Sequence, residues 1–352
     1  MRLRHWAVGF IMLSLLLNGC ESSSNETHPA SLSVQNDKQS HASPYLSLTA
    51  TDKMGHNHYY IYQIQDRCVK EMAVLEDTAQ YPLGVVDLDK NVIFYAQREA
   101  GADQLFEYNL NTKQSRKLTS DLFAINYIIP VEDQVLLAAA SKEKSSVQIY
   151  SFDLQKNKLV PWFDSADDDT SVQTMTLDRS EKFLYVTLFS ASEKRMNMKA
   201  AEKAQANDVV PAKHRIAKYD LRGTLLNEVL SSREKIVETA ISPDDKSIIL
   251  NSSELVFKPR VFALMDLNTK QKQPFIIDGI SSIGTVYYSP DNKGIYFTGM
   301  PEKEAQNAHS ATEAGPPNQM YYYEFKTKKV EELFSKPDQY INNFVLMSAK
   351  TE

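Results

Sequence analysis

Apolar and polar positions along this chain alternate in short runs, with no long helical stripe through its main body. The stretch from 236 to 277 shows the unit. "VETAIS" lies before a turn, "SIILNSS" lies after it, and "RVFALMDLNTKQKQPFII" reads as strand, polar turn, strand. Ser-Pro-Asp in "ISPDDKSIIL" suits a type I turn, which joins two strands tightly. Together these runs predict a four-stranded antiparallel meander of short strands. A second copy of the turn stands at 288–297 as "YSPDNKGIYF".

The third-strand signature recurs along the chain. It is an apolar or aromatic run, then Asp or Asn, then Leu, then a Lys/Asn/Thr/Gln turn. Copies are "FEYNLNTKQSRKL" (106–118), "YSFDLQKNKLV" (150–160), "AKYDLRGTLLNEVL" (217–230), "FALMDLNTKQKQPF" (262–275) and "YYEFKTKKVEEL" (322–333), with a weaker one at 59–72. The matching apolar positions are Ile64, Leu110, Leu154, Leu221, Leu267 and Phe325, spaced by 46, 44, 67, 46 and 58 residues. The base period near 45 is that of propeller blades. The two long intervals carry insertions, at 190–215 and 300–318. A lone apolar segment, "YLSLTAT" (45–51), precedes the first hairpin, and another, "YINNFVLMSA" (340–349), follows the last. Paired, they complete a sixth blade and protect both chain-end edges. The expected fold is therefore an all-β, six-bladed β-propeller over residues 45–352, closed by its N- and C-terminal strands. A pair of β-sandwiches, the alternative, predicts neither the period nor the two half-blades.

The Ser-Pro-Asp blades resemble the WD40-like repeats of TolB-type propellers, whose pattern is roughly S-P-D-G-K-x-I-x-F followed by I-Y-x-x-D-L. The resemblance spans about 45–349 and bears on fold rather than on any one function. Asp245 and Asn292 stand where that pattern has Gly.

The N-terminus follows a different pattern. Arg2 and Arg4 precede a mostly apolar run over 6–17, which is shorter than the roughly 20 residues that span a membrane. It suits the core of a signal peptide. Leu17-Asn18-Gly19-Cys20 resembles the bacterial lipobox, apart from Asn18, where a small residue is commoner. That resemblance implies a signal peptide over 1–19, lipidation (palmitate) of Cys20 and a place on the outer side of the cell membrane. The Ser-rich segment 20–44 is too polar to bury a core and reads as a flexible tether. A lipobox joined to such a propeller resembles the YqgU-type lipoproteins of Gram-positive bacteria.

The formal net charge of −6 and the lack of a long basic run argue against nucleic-acid binding. With Cys20 lipidated, Cys68 has no intramolecular disulfide partner. G-x-S-x-G, H-E-x-x-H, C-x-x-C, P-loop and G-x-G-x-x-G patterns are missing; "GISSIG" at 279–284 has a different spacing.

Strand direction places the A–B and C–D turns on one face, with strands lettered outward from the axis. The B–C and D–A connections, and both insertions, lie on the other, here called the flap face. "SASEKRMNMKAAEKAQANDVVPAKHR" predicts a helix over about 193–206 in blade 4, with Ser192 as N-cap and Lys199 and Lys203 on its surface. The second insertion, in blade 6, reads as irregular. D–A loops contribute Asp121, Asp167, Asp168, Asp169 and Asp278 to the same face. "DSADDDT" reads first as a solvated acidic loop, with no cofactor expected; a calcium ion is the alternative occupant, although the segment lacks the spacing of an EF-hand loop. His56 and His58, two apart, form a weak metal pair, and His214 and His309 lie in or beside the insertions. The resulting expectation is a binding or scaffolding module for an envelope protein, peptide or glycan. The alternative is a metal-dependent hydrolase or lyase with its site at the channel mouth.

Overall fold

The computed structural model describes residues 43–307 and 319–349, apart from 77, 78, 80, 145, 165 and 337. The described residues begin with β1 (Ser43–Asp52), β2 (His56–Gln63) and β3 (Cys68–Glu76), the outer three strands of blade 1. Blade 2 is β4 (Gly84–Asp87), β5 (Val92–Glu99), β6 (Ala102–Asn109) and β7 (Ser115–Lys117). Blade 3 is β8 (Leu122–Val131), β9 (Gln134–Ser141), β10 (Gln148–Asp153) and β11 (Lys158–Pro161). Blade 4 is β12 (Thr170–Leu177), β13 (Phe183–Ser190), β14 (His214–Asp220) and β15 (Leu225–Ser232), with helix α1 (Ala191–Ala204) between its second and third strands. Blade 5 is β16 (Lys235–Ile241), β17 (Ser247–Ser253), β18 (Val261–Asp266) and β19 (Lys272–Pro274). Blade 6 is β20 (Ile280–Tyr288), β21 (Gly294–Pro301) and, after helix α2 (Glu302–Asn307), β22 (Gln319–Glu324) and β23 (Val330–Ser335). Finally β24 (Gln339–Ala349) returns to take the innermost place of blade 1.

The innermost strands form a closed ring: β4, β8, β12, β16, β20 and β24 each touch the next, and β24 touches β4. Closure rests on β24 pairing with β1 from Ser43↔Ala349 to Asp52↔Gln339. The six-bladed propeller expected from the repeats is thus the observed fold, and six separate four-stranded sheets exclude the sandwich pair.

Inner strands are buried on both faces because each blade is stacked between two others. That is why β9 reads as a continuous apolar run: Val135, Leu136, Leu137, Ala138 and Ala139 are all fully buried. Close stacking also explains Gly84, where a Cβ would strike the buried Tyr59 ring of blade 1.

The recurring Asp-Leu signature has a local cause. Asn109, Asp153, Asp220 and Asp266 each end a C strand, and each side chain accepts backbone N–H groups from its own turn. The next residue ties that turn to the neighbouring A–B turn. Leu110 N donates to Asn91 O (3.0 Å), Leu154 N to Asp133 O (3.0 Å), Leu267 N to Lys246 O (2.8 Å) and Phe325 N to Lys293 O (2.9 Å). Each of the eleven hairpin turns on this face also holds one residue at positive φ. Asp245 (56°) and Asn292 (59°) are two of them, at the positions where the TolB-type pattern has Gly. Asp and Asn tolerate the left-handed region better than most residues. The Ser-Pro-Asp face is therefore a lattice of tight, mutually bonded turns.

Two elements differ from expectation. Helix α1 starts two residues early because Ser190, not Ser192, is the N-cap, its hydroxyl accepting from Glu193 N (3.0 Å). The second insertion opens with the short helix α2 rather than irregular chain; the rest of it, with His309, lies outside the described residues. Cys20 and the segments 1–19 and 20–42 lie outside them as well.

Candidate functional site

Both insertions leave the flap face as their place between B and C strands requires. The blade-4 insertion is pinned down. Asp169 accepts from Ser190 Oγ (2.7 Å) and Ser192 N (2.6 Å), so a carboxylate sits at the N-terminus of α1, where the helix dipole favours it. Those bonds hold the Asp169 carboxyl below the usual carboxylate range. Gln205, in the left-handed region, closes the helix. Asn197 reaches back to Val210 O (3.1 Å), and Val256 N in the blade-5 loop donates to Val209 O (2.9 Å).

The acidic loop residues do not converge on one point. Asp167 Oδ1 accepts from Asp169 N and Thr170 N (both 2.9 Å), and Asp168 accepts from Ser146 Oγ (3.3 Å). Asp121 and Asp278 stand exposed in the connections from blade 2 to 3 and from blade 5 to 6. Lys199 and Lys203 are exposed on α1. Asp169 lines a cleft of about 270 Å³ shared with Phe189, Glu193, Lys213, Arg215 and Glu228.

His56 and His58 do meet, through Asp52. Asp52 Oδ2 lies 3.2 Å from His56 Nδ1 and 3.1 Å from His58 Nε2, while His58 Nδ1 lies 3.2 Å from Glu71 Oε2. The His56 N–H and the His58 ring hold Asp52 well below the usual carboxylate range. These contacts engage both His58 nitrogens. Among the described residues no group of three or more His, Cys, Asp or Glu is arranged to hold a metal. His214 belongs to blade 4, buried and stacked on Phe189 (5.3 Å between centroids), with Nδ1 2.8 Å from Ala212 O.

The clearest asymmetry is apolar. Among the described residues, ten large exposed hydrophobic side chains stand on the flap face or at strand ends meeting it. They are Met54, Tyr81, Phe123, Met196, Met198, Val210, Phe257, Val261, Ile276 and Tyr340. Of the other five, on the outermost strands of blades 1, 3 and 4, Val69, Leu225 and Leu226 stand at strand ends that meet the Ser-Pro-Asp face, and Val74 and Val160 lie further along their strands. No Ser-Pro-Asp-face turn carries one.

A second feature lies in the central channel. Register shifts break the pairing of β8 between Ile125 and Tyr127, of β12 between Val172 and Thr174, and of β16 between Ile236 and Glu238. Such bulges re-aim side chains. Tyr127 and Glu238, the first paired residues beyond their bulges, and Tyr287 of β20 are half-buried on the innermost strands. Burial pushes the Glu238 carboxyl up to about 8 and raises both phenols. Sequence reasoning missed these three residues. Their one signal was a lone Glu inside an otherwise apolar or Thr-rich first strand, "KIVETAI".

No protein-family model matches this sequence, and no curated protein matches it significantly. Solved structures do match in fold. A chain of the nidogen/laminin complex is 9% identical with a TM-score of 0.54, over 86% of this chain and 98% of its own. TolB from Acinetobacter baumannii is 13% identical with a TM-score of 0.53, over 86% of this chain and 66% of its own. An oligogalacturonate lyase in complex with manganese is 13% identical with a TM-score of 0.50, over 85% and 75%. At these identities the likeness is one of fold, and the TolB-type resemblance read from the repeats holds at that level.

Proposed function

We propose that this chain is a lipid-anchored, extracytoplasmic propeller that binds an envelope protein or peptide through its flap face. The observation that carries the reading is the unequal placement of exposed apolar side chains, ten at the flap face against three at the strand ends of the opposite face. Exposed apolar surface forgoes about 25 cal/mol per Å² of burial, and clustered patches mark interaction sites. The flap face also bears both insertions, whereas the opposite face is taken up by interlocked turns. The likeness to TolB and to the nidogen/laminin complex supports a binding role only through the shared fold.

The test is face-selective. Partner recovery from native membranes is compared for the flap-face variant Val210→Ser/Phe257→Ser/Ile276→Ser and for the opposite-face variant Lys246→Ser/Lys270→Ser, with folding checked by circular dichroism. Recovery is expected to fall only with the first. Unchanged recovery there, or loss only with the second, overturns the proposal.

A further inference from the structure

Charge is spread unevenly over this chain. Residues 192–213 and 254–260 hold seven Lys or Arg against four Asp or Glu, a surplus of three positive charges in a chain whose formal net charge is −6. Both segments leave the flap face. One is helix α1 with its return to β14, and the other is the loop between β17 and β18.

Hydrogen bonds and an ion pair join the two segments into one platform. Asn197 Nδ2 donates to Val210 O (3.1 Å), and Val256 N donates to Val209 O (2.9 Å). Lys258 Nζ lies 3.6 Å from Asp208 Oδ1, and Lys213 N donates to Glu193 Oε2 (3.1 Å). Ala201, Val209 and Ala212 supply its buried side. Its outer side carries Met196 (62% exposed), Val210 (53%) and Phe257 (67%). A surface held in place this way gives up little freedom when a partner docks, which favours binding.

The same bonds sort the charges. Two of the four acids are taken up within the fold, Glu193 by Arg233 (3.6 Å) and the Lys213 N–H, and Asp208 by Lys258. Among the described residues Lys199, Lys203 and Arg260 form no ion pair, and all three are exposed. Met196, Lys199 and Lys203, at i, i+3 and i+7, share one side of α1. Like charges four residues apart on a helix repel, so a carboxylate brought between Lys199 and Lys203 is attracted by both.

We propose that this platform docks an acidic segment of the partner protein, with apolar side chains seated on Met196, Val210 and Phe257 and carboxylates facing Lys199, Lys203 and Arg260. The inference rests on the flap-face docking reading above and names the partner's chemistry.

An anionic lipid surface is the other occupant with this mixture of charge and apolar groups. The relief beside the platform favours a polypeptide. The cleft of about 270 Å³ shares Glu193 and Lys213 with the platform and is lined by both signs of charge, Asp169 and Glu228 against Lys213 and Arg215. A protein side chain can enter such a cleft and match either sign. A bilayer would bring its anionic headgroups against Asp169 and Glu228, and like charges set against each other oppose association.

A photo-reactive phenylalanine derivative in place of Phe257, in living cells carrying the full chain, tests the inference. An adduct is expected. Mass spectrometry should map the link to a protein segment with more acidic than basic residues around an apolar one. Lys199→Glu/Lys203→Glu should lower the yield at least about tenfold, whereas Lys199→Arg/Lys203→Arg should retain it. Both lysines are exposed, so neither pair should disturb folding, which circular dichroism checks. The proposal is overturned by the lack of an adduct from position 257, or by a yield that charge reversal leaves unchanged. It is overturned equally by a link to lipid, to a second copy of this chain, or to a basic or uncharged segment. An adduct from position 276 with none from 257 rejects the platform and leaves flap-face docking standing; none from either rejects both.

Discussion

Tyr60, in the third strand of blade 1, donates its hydroxyl hydrogen to Gln339 Oε1 at 3.0 Å, across 279 residues of sequence. The Lys336 ammonium lies 2.9 Å from the same hydroxyl and 4.6 Å from the Tyr60 ring centroid. Asn342 Nδ2 adds a bond to Thr51 Oγ1 at 2.6 Å. Side chains thus reinforce the backbone pairing that closes the ring. Tyr60→Phe is expected to lower the unfolding free energy by about 1 kcal/mol in denaturant titration, because it removes two hydrogen bonds to half-buried partners. Tyr81→Phe, on an exposed residue, should change it little. Truncation before Gln339 removes the whole inner strand of blade 1 and should abolish cooperative unfolding.

The turn lattice makes a paired prediction in blade 6. Asn292 holds φ 59°, a region where an L side chain is strained and Gly is not. Asn292→Gly should therefore be neutral or stabilise by up to about 1 kcal/mol. Two residues on, Gly294 leaves no room, since an added Cβ would collide with the Tyr323 carbonyl oxygen. Gly294→Ala should destabilise by about 1–3 kcal/mol. Thermal unfolding of the two variants side by side checks both signs.

These turns also explain why the fold was legible. Hairpin chemistry is local, so Asp-Leu, Ser-Pro-Asp and the buried apolar runs announce themselves at each blade. The site was not, because its relationships are non-local. Tyr127 and Glu238 share a channel only through the register of two blades and through bulges that leave no mark in sequence. The sequence places Asp169 among the flap-face loop acids, whereas its bonds to Ser190 and Ser192 set where helix α1 begins. Ser190 and Ser192 are equally good caps by residue type, so the two-residue offset of the helix was invisible without Asp169.

Glu238 gives stability a pH dependence. Its folded pKa, about 8, lies above the usual value for Glu, so the stability it permits is full below about pH 4 and falls as pH rises through 8. Glu238→Gln removes that penalty. The variant should match wild type near pH 4 and exceed it by about 2–4 kcal/mol near pH 9 in urea unfolding. An equal difference at both pH values would mean that the carboxyl titrates normally in the channel.

The proposed lipid anchoring is tested at Cys20, in the lipobox-like Leu17-Asn18-Gly19-Cys20. Cys20→Ala is expected to shift the chain from the membrane to the soluble fraction of fractionated cells. Retention of the variant in membranes would contradict the anchor.

Site-specific photo-crosslinking in living cells tests the central claim, flap-face docking, most directly. A photo-reactive residue is placed at Ile276 on the flap face in one strain and at Lys328, in a blade-6 turn of the opposite face, in another. The account predicts a discrete crosslinked adduct from position 276 and none from 328. An adduct from 328 with none from 276 would contradict it.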